Sequence, residues 1–404
     1  MERLLKLSLA AGLVGACTLA APARAVDVSL LVDLRFVESS GQTSWLNGGL
    51  GKLRFDPDHD GLRLGLVYLG LDQSLTETVA LHVNAVAYGD HDRTPIDLTE
   101  AYFEWRPFPG SAWRQRAKLG AFYPSISFEN PLPGWRSPYS ISWSALNTWI
   151  GEEIRSIGAE YSLDYLGVRN GGRFDFGAQV GVYGWNDPAG VLIAERGWAL
   201  HDRQTTLFGR IGTPELEPVE GYRLFYEIDH RPGYYAGVKA SYLDRAELRL
   251  MHYDNRGDRV SYSAAIGDMA WETLFNSAGL QVAATEHLTL IAQVLDGVTW
   301  INPFLPIKWD FDAQFLLASY EWRGNRLTLR HDWFSMQRTG GRGLGNDLGH
   351  AWTIAAGHEF GEHWSAMVEG LWVDSSMPQR PEFGAPVGAR ESSLTLSLRY
   401  ALKP

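Results

Sequence analysis

Downstream of residue 25, apolar and polar side chains alternate along the chain in runs of about ten residues, the period of a strand with two different faces. The first run sets Val28, Leu30, Val32, Leu34 and Phe36 on one face and Asp33 and Arg35 on the other. The last sets Leu394, Leu396, Leu398, Tyr400 and Leu402 against Thr395, Ser397 and Arg399. Between them the alternation is clearest over 79–87, 113–121, 174–182, 234–242, 288–294 and 364–372. Sixteen strands are predicted: 26–37, 61–72, 76–88, 96–107, 112–121, 152–163, 172–184, 233–243, 245–255, 267–283, 287–298, 309–322, 325–337, 350–361, 363–374 and 390–402. The alternation is weakest in 267–283, and the stretch from Tyr222 to Ile228 leaves room for a further strand pair, so 14 to 18 strands fit the pattern.

The connections sort by length. After even-numbered strands they are short, as at 73–75, 108–111, 284–286, 323–324 and Glu362. After odd-numbered strands they are mostly long, as at 38–60, 122–151, 185–232, 338–349 and 375–389. Short turns on one side and long loops on the other are the habit of an outer-membrane barrel whose N-terminus is periplasmic. The fold class expected is therefore all-β: a transmembrane antiparallel barrel with short periplasmic turns and long extracellular loops. A soluble sandwich or propeller would have strands of about 5–6 residues, and a propeller would show repeats. No apolar run after residue 25 reaches the ~18 residues of a membrane-spanning helix.

Composition agrees. Aromatics make up 12% of the 404 residues, with 16 Trp, and 43 are Gly. Trp105, Trp113, Tyr161, Trp333, Trp352, Trp364, Trp372 and Tyr400 fall near strand ends on the lipid-facing phase, where amphipathic rings suit the headgroup region. At the N-terminus, Arg3 and Lys6 precede an apolar run from Leu7 to Leu19 and then Ala23-Arg24-Ala25, which predicts a signal peptide over 1–25 and a barrel over 26–404. Val14-Gly15-Ala16-Cys17 also resembles a lipobox that would lipidate Cys17, but the alternation beginning right after Ala25 favours cleavage there. Cys17 is the only cysteine, so the barrel gains no stability from disulfides and must rely on strand closure.

The net charge of −11 argues against nucleic-acid binding. It does not set the charge of the lumen, because only inward side chains count there. The phase of the fourth strand turns Glu100, Tyr102, Glu104 and Arg106 inward, and that of the fifth turns Arg114, Arg116 and Lys118 inward. Arg35, Arg63, Lys239, Arg249, Arg330 and Arg399 join them, with the acids Asp33, Asp175, Glu247 and Asp332. Ten cations against six acids give a mildly positive lumen inside an acidic protein. The excess acids then sit in loops, such as Asp56, Asp58 and Asp60 or Glu215, Glu217 and Glu220. Ladders of Arg and Lys favour anions. The alternative is that Glu100 and Glu104 neutralise Arg114, Arg116 and Lys118 and only stiffen the wall.

The loop 122–151 is rich in Pro, Ser and aromatics, with Trp135, Trp143 and Trp149, and its charges are chiefly Glu129 and Arg136. Several strings resemble the bacterial porin superfamily that includes the phosphate-selective porins O and P: AYFEWRPFP (101–109), LGAFYPSISFENP (119–131), LNTWIGEEIRSIGAEY (146–161) and RPGYYAGVKASY (231–242). The resemblance implies a sixteen-stranded barrel, often trimeric, whose third outer loop folds into the channel; here that loop is 122–151, with Glu129, Trp135 and Arg136 at the constriction. The chain departs from such porins in ending Tyr400-Ala401-Leu402-Lys403-Pro404 rather than on a terminal Phe. It also lacks a dense lysine cluster, so phosphate specificity does not follow.

No G-x-S-x-G, H-E-x-x-H, Walker A or spaced Cys/His motif is present. His350 and His358 share a strand face but stand roughly 26 Å apart at strand rise, too far to share a metal. Neither catalytic residues, nor a metal, nor a cofactor is expected. The expected partners are outer-membrane lipid and lipopolysaccharide, the barrel-assembly machinery and small hydrophilic solutes, anions preferred; an apolar outer patch permits a homotrimer. The function expected is passive diffusion. A barrel plugged by its own loops with a binding or structural role is the rival, and an outer-membrane hydrolase a more distant one.

Overall fold

The computed structural model describes residues 26–90, 96–212, 221–302, 304–340 and 346–402. The expected signal peptide and Cys17 lie outside them, as do Glu215, Glu217 and Glu220. Sixteen antiparallel strands close into a barrel. They are β1 (Asp27–Ser40), β2 (Gly61–Ser74), β3 (Val79–Ala87), β4 (Ile96–Trp105), β5 (Trp113–Phe122), β6 (Ser156–Tyr165), β7 (Phe174–Gly184) and β8 (Gly233–Tyr242). There follow β9 (Ala246–Asp254), β10 (Glu272–Ala283), β11 (Leu288–Ile301), β12 (Ile307–Trp322), β13 (Asn325–Thr339), β14 (Asn346–Phe360), β15 (Trp364–Ser376) and β16 (Gly388–Leu402). Each strand pairs with its sequence neighbour, and β1 pairs with β16 from Leu30↔Leu402 to Ser40↔Ser392.

Closure leaves no unpaired edge, which is the condition for strands to cross a bilayer. The alternation is realised as expected on β1, where Leu34 and Phe36 are exposed on the outside while Asp33 and Arg35 are buried inside. Apolar side chains cover the exterior, including Trp113, Trp333, Trp352, Trp364 and Trp372. This is the surface of an outer-membrane barrel. Among the described residues no helix is long and apolar enough to cross a membrane.

Two expected boundaries move. The sixth strand spans Ser156–Tyr165 rather than 152–163. The tenth begins at Glu272, and Asp268–Met269 instead pairs with Tyr262–Ser263 in a small outer hairpin. Among the described residues no strand pair forms from Tyr222 to Ile228, where Tyr222 forms an isolated bridge to Ile211.

Candidate functional site

The lumen is occupied chiefly by two long connections, joined by the largely buried stretch 44–56 between β1 and β2, whose Trp45 and Leu53 enter the same cluster and whose Leu53 bridges Leu200. The first, 123–155, links β5 to β6 and carries helix α1 (Ala145–Glu153), all nine residues of which are buried. Ser144 caps it: its hydroxyl accepts from Asn147 N (3.2 Å) and donates to Glu129 Oε2 (2.6 Å). Trp149 of α1 packs edge-on against Phe311 (5.0 Å between centroids), Phe275 (5.5 Å) and Trp198 (6.2 Å). The second connection, 185–232, was expected as an outer loop, and part of it turns inward instead. Its short helix α2 (Val191–Arg196) and residues 198–206 are almost wholly buried. The reason is its apolar run Val191-Leu192-Ile193-Ala194 followed by Trp198, which finds its apolar counterpart on the lumen wall.

That wall has two chemistries. On β10 to β13 the inward side chains are Phe275, Leu295, Trp309, Phe311, Phe334 and Met336, all in one buried cluster with α1 and α2. On β1 and β16 the plug is met by charge. Arg399 and Arg35 both bind Asp33 (3.1 and 2.8 Å), and Arg35 reaches Asp202 (2.5 Å). Arg54 then joins Asp202 (2.8 Å) to Asp90 (3.0 Å), and Arg203 binds Asp90 (3.1 Å). This row of alternating charges joins the second connection, through Asp202 and Arg203, to the wall and to the loops that carry Arg54 and Asp90.

Arg330 is the charged exception on the apolar side. Its Nε donates to Asp332 (2.8 Å) and its Nη1 to Glu129 (2.8 Å), Ser140 Oγ (3.1 Å) and Ser142 O (2.7 Å). Its Nη2 donates to Trp143 O and Thr353 Oγ1, both at 3.0 Å. Arg330 and Arg35 therefore face the lumen, as their phase requires, but both are sealed beneath the plug. Glu129, expected at a constriction, is spent on Arg330.

The expected basic ladder of β5 does point inward. Its acids come from β6 rather than from Glu100 and Glu104: Arg114 binds Asp164 (2.7 Å) and Lys118 lies 3.6 Å from Glu160. Asp164 also holds Lys239 (3.0 Å) across Gly177, where a Cβ would stand 2.4 Å from the carboxylate and 2.5 Å from the lysine. The signal was available in Glu160-x-Ser162-x-Asp164, but a strand ended at 163 leaves Asp164 in the turn. Glu100 accepts from Asn84 (2.7 Å) and from the N–H of Tyr123 (3.2 Å). Glu104 has Arg106 at 3.9 Å as its ion pair among the described residues, and Arg106 lies past the end of β4, exposed at the rim. Arg249 pairs with Glu247 (2.7 Å) and stacks on Phe128 (4.0 Å). Arg63 is half-buried and donates to His59 O (3.1 Å). Among the described residues, Arg116 has neither an ion pair nor a hydrogen bond.

Below the plug the periplasmic half of the lumen keeps two cavities. One of about 550 Å³ is lined by Arg116, Lys239, Arg249, Asp164, Tyr102 and Glu100, and one of about 350 Å³ by Asp33, Arg35, Arg399 and Arg326. The tip of the first connection divides them. Gly134 takes a left-handed φ of 69° there, and the turn lays the Arg136 guanidinium over the Tyr68 ring (4.0 Å). Trp135 is buried against Tyr123 (4.4 Å).

Acids in the connections are perturbed. Burial pushes Glu153 up to about 7, against the backbone N–H groups of Leu192 (2.8 Å) and Gly190 (3.1 Å) and the indole N–H of Trp149. At the mouth, the carboxylates of Asp187, Glu227 and Asp229 lie within 4.8 Å of one another. Burial first, and the two neighbouring acids after it, push Asp187 up to about 6.

A closed sixteen-strand barrel with loops folded into its lumen is the architecture of outer-membrane porins and channels. Solved structures with this fold include an anion-selective porin from Comamonas acidovorans, at TM-score 0.52 and 12% identity over 94% of this chain and 99% of that one. The outer-membrane channel DcaP of Acinetobacter baumannii matches at TM-score 0.53 and 11% identity, over 94% and 96% of the two chains. Salmonella typhi OmpF matches at 0.53 and 10%, over 93% and 97%. No protein-family model matches the chain, and no curated protein does. The narrower likeness to the phosphate-selective group rests on the sequence strings alone.

Proposed function

We propose that the protein is an outer-membrane porin that passes small hydrophilic solutes by diffusion and weakly prefers anions, through a narrow route rather than a wide lumen. The observation that carries this reading is the cavity of about 550 Å³ with Arg116 unpaired in its wall and Lys239 and Arg249 beside it. A cation without a counter-ion, facing water in a low-dielectric cylinder, concentrates anions. The route runs along β1 to β6, where the plug meets the wall through polar groups that water can solvate. The low identity of its neighbours brings no activity with it, and catalysis plays no part in this reading.

The test is the reversal potential of the purified protein in a planar bilayer under a KCl gradient. Small, steady channels that favour chloride are expected, with Arg116→Glu moving the potential toward potassium. A potassium-favouring wild type would keep the channel and overturn the anion preference. A second reading, a barrel closed by its own loops with a binding or structural role, is favoured by the apolar packing of α1 and α2 against β10 to β13. Folded protein with no conductance would select it.

A further inference from the structure

The cavity of about 550 Å³ beneath the plug has two unlike faces. On the plug side, the tip of the first connection presents Pro131, Leu132 and Pro133, all three exposed. Much of their backbone is already engaged. Leu132 exchanges both its N–H and its carbonyl with Arg136 (3.2 and 3.3 Å), and the Pro133 carbonyl accepts from Arg136 Nε (2.9 Å). What the tip turns to water is mainly carbon, which is unfavourable unless a solute covers it.

The other face is the wall. The register carries one level of it from Arg116 through Ser162, Gln179, Gly237 and Met251 to Ser277. Ser162, Gly237 and Ser277 are small, so the wall there is shallow, and Arg116 is the one charge on that level. Around the whole cavity the formal charges balance: Arg116, Lys239 and Arg249 against Asp72, Glu100 and Asp164. All but Arg116 are engaged. Asp164 holds Lys239 (3.0 Å) and Arg114 (2.7 Å), and Glu247 holds Arg249 (2.7 Å). Asp72 bonds the His82 ring, and Glu100 accepts from Asn84 and from the N–H of Tyr123. One guanidinium is left for a solute, in a slot with no net charge.

We infer that this slot recognises organic monocarboxylates with a flat apolar body, of which benzoate is the simplest probe, in preference to inorganic anions and to dianions. The inference deepens the porin reading above and rests on it for how the solute arrives and leaves. The carboxylate accepts two parallel hydrogen bonds from the Arg116 fork. The ring then lies between the shallow wall and the tip, and covers Pro131, Leu132 and Pro133. Acetate gains the fork and leaves the tip wet. Phosphate does the same and brings a further charge. That charge, like the second carboxylate of phthalate, meets Asp164 or Glu100 and finds no free cation, which rejects the dianion.

The experiment is equilibrium binding to the full chain in lipid nanodiscs, against empty nanodiscs, followed by saturation-transfer NMR and calorimetry with benzoate, acetate, phthalate and inorganic phosphate. Benzoate should bind about tenfold or more tightly than acetate, the margin expected when a ring leaves water, and more tightly than phthalate or phosphate. Arg116→Gln should weaken benzoate and acetate alike, and Leu132→Asn should shrink the ratio between them. Benzoate no tighter than acetate, phthalate or phosphate as tight as benzoate, or benzoate binding intact in Arg116→Gln would each overturn the inference. Bilayer currents in sodium benzoate and in sodium chloride separate it from the porin reading. Selective binding of benzoate by folded protein that carries no current would remove that reading and leave the slot. Steady chloride current without a preference for benzoate over acetate would remove the slot and leave the porin.

Discussion

Along β10 to β13 the plug meets the wall through Phe275, Leu295, Phe311 and Met336, whereas along β1 and β16 its Asp202 meets Arg35, itself held by Asp33 beside Arg399, with Arg54 of the β1–β2 loop on the same carboxylate. The two contacts do different work. Each large apolar side chain taken from water on the first side contributes about 1.5–3 kcal/mol. Charge pairs on the second side lose most of their attraction to desolvation, so they add little net stability. They do fix how the plug sits, because each buried guanidinium must find its carboxylates. The plug is thus held on one side and oriented on the other, and the oriented side is the route proposed above for solvent and solute.

Substitutions can break this contrast. The largest effect belongs to the charged exception on the apolar side: Arg330→Ala strands Glu129 and Asp332, which should cost about 3–5 kcal/mol and release the plug. Single-channel conductance should rise and the thermal unfolding temperature fall. Trp149→Ala, which empties a pocket among Phe275, Phe311 and Trp198, should cost a similar ~3–5 kcal/mol, read by the same two measurements. If conductance stays unchanged in both, the apolar contact does not hold the plug.

The next effect is one of pH. Glu153, raised by burial to about 7, holds its proton in the docked plug at pH values where an ordinary carboxyl has lost it. Docking therefore gains from Glu153 at low pH and loses that gain as pH rises through 7. Asp187, raised to about 6, has the same sign. His201, lowered first by burial, works in the opposite sense, favouring the plug as pH rises through the ordinary histidine range. Glu153→Gln isolates the first contribution. The advantage of wild type over this variant in resistance of the plug to protease should shrink from pH 5 to pH 8; an advantage that grows would reverse the assignment.

The smallest effects sharpen the contrast from the other side. Arg54→Met with Asp202→Leu replaces paired charges by apolar groups and should change stability by no more than about 1 kcal/mol. A loss several times larger would make the charged side a holdfast too. Arg106→Ala, at the exposed rim, should stay within about 0.5 kcal/mol and leave the current unaltered.

The strands were legible because lipid and lumen impose a period of two on every segment, and even the weak tenth strand shows it from Glu272 onward. The filled lumen was harder to see, although one strand announces it. In Trp309-Asp310-Phe311-Asp312-Ala313 the apolar positions face inward and the acids outward, the reverse of a water-filled barrel. That reversal makes sense only with α1 and α2 present, and both come from connections whose Trp and Pro content reads equally well as an outer loop. Arg106 falls past the end of β4, but the inward phase of Arg35, Arg114, Lys118 and Arg330 was legible on their strands. Their partners were not: Asp202, Asp90 and Glu129 reach the wall through loop paths that no local pattern encodes.

The seam between β1 and β16 also sets a timetable. The plug is drawn from the connections after β5 and β7, yet its apolar partners sit on β9 to β15, made later in the chain. Trp149 and Trp198 therefore emerge before Phe275 and Phe311, the strand residues they pack against, and need shielding until those strands arrive. The last of them still precede β16, whose pairing from Leu30↔Leu402 to Ser40↔Ser392 joins the two ends. Once that seam zips, a core this size has no side entrance. A plug still unpacked at that point can enter only through the mouth from which its connections hang, so the order of seam closure and plug packing sets the path by which the lumen fills.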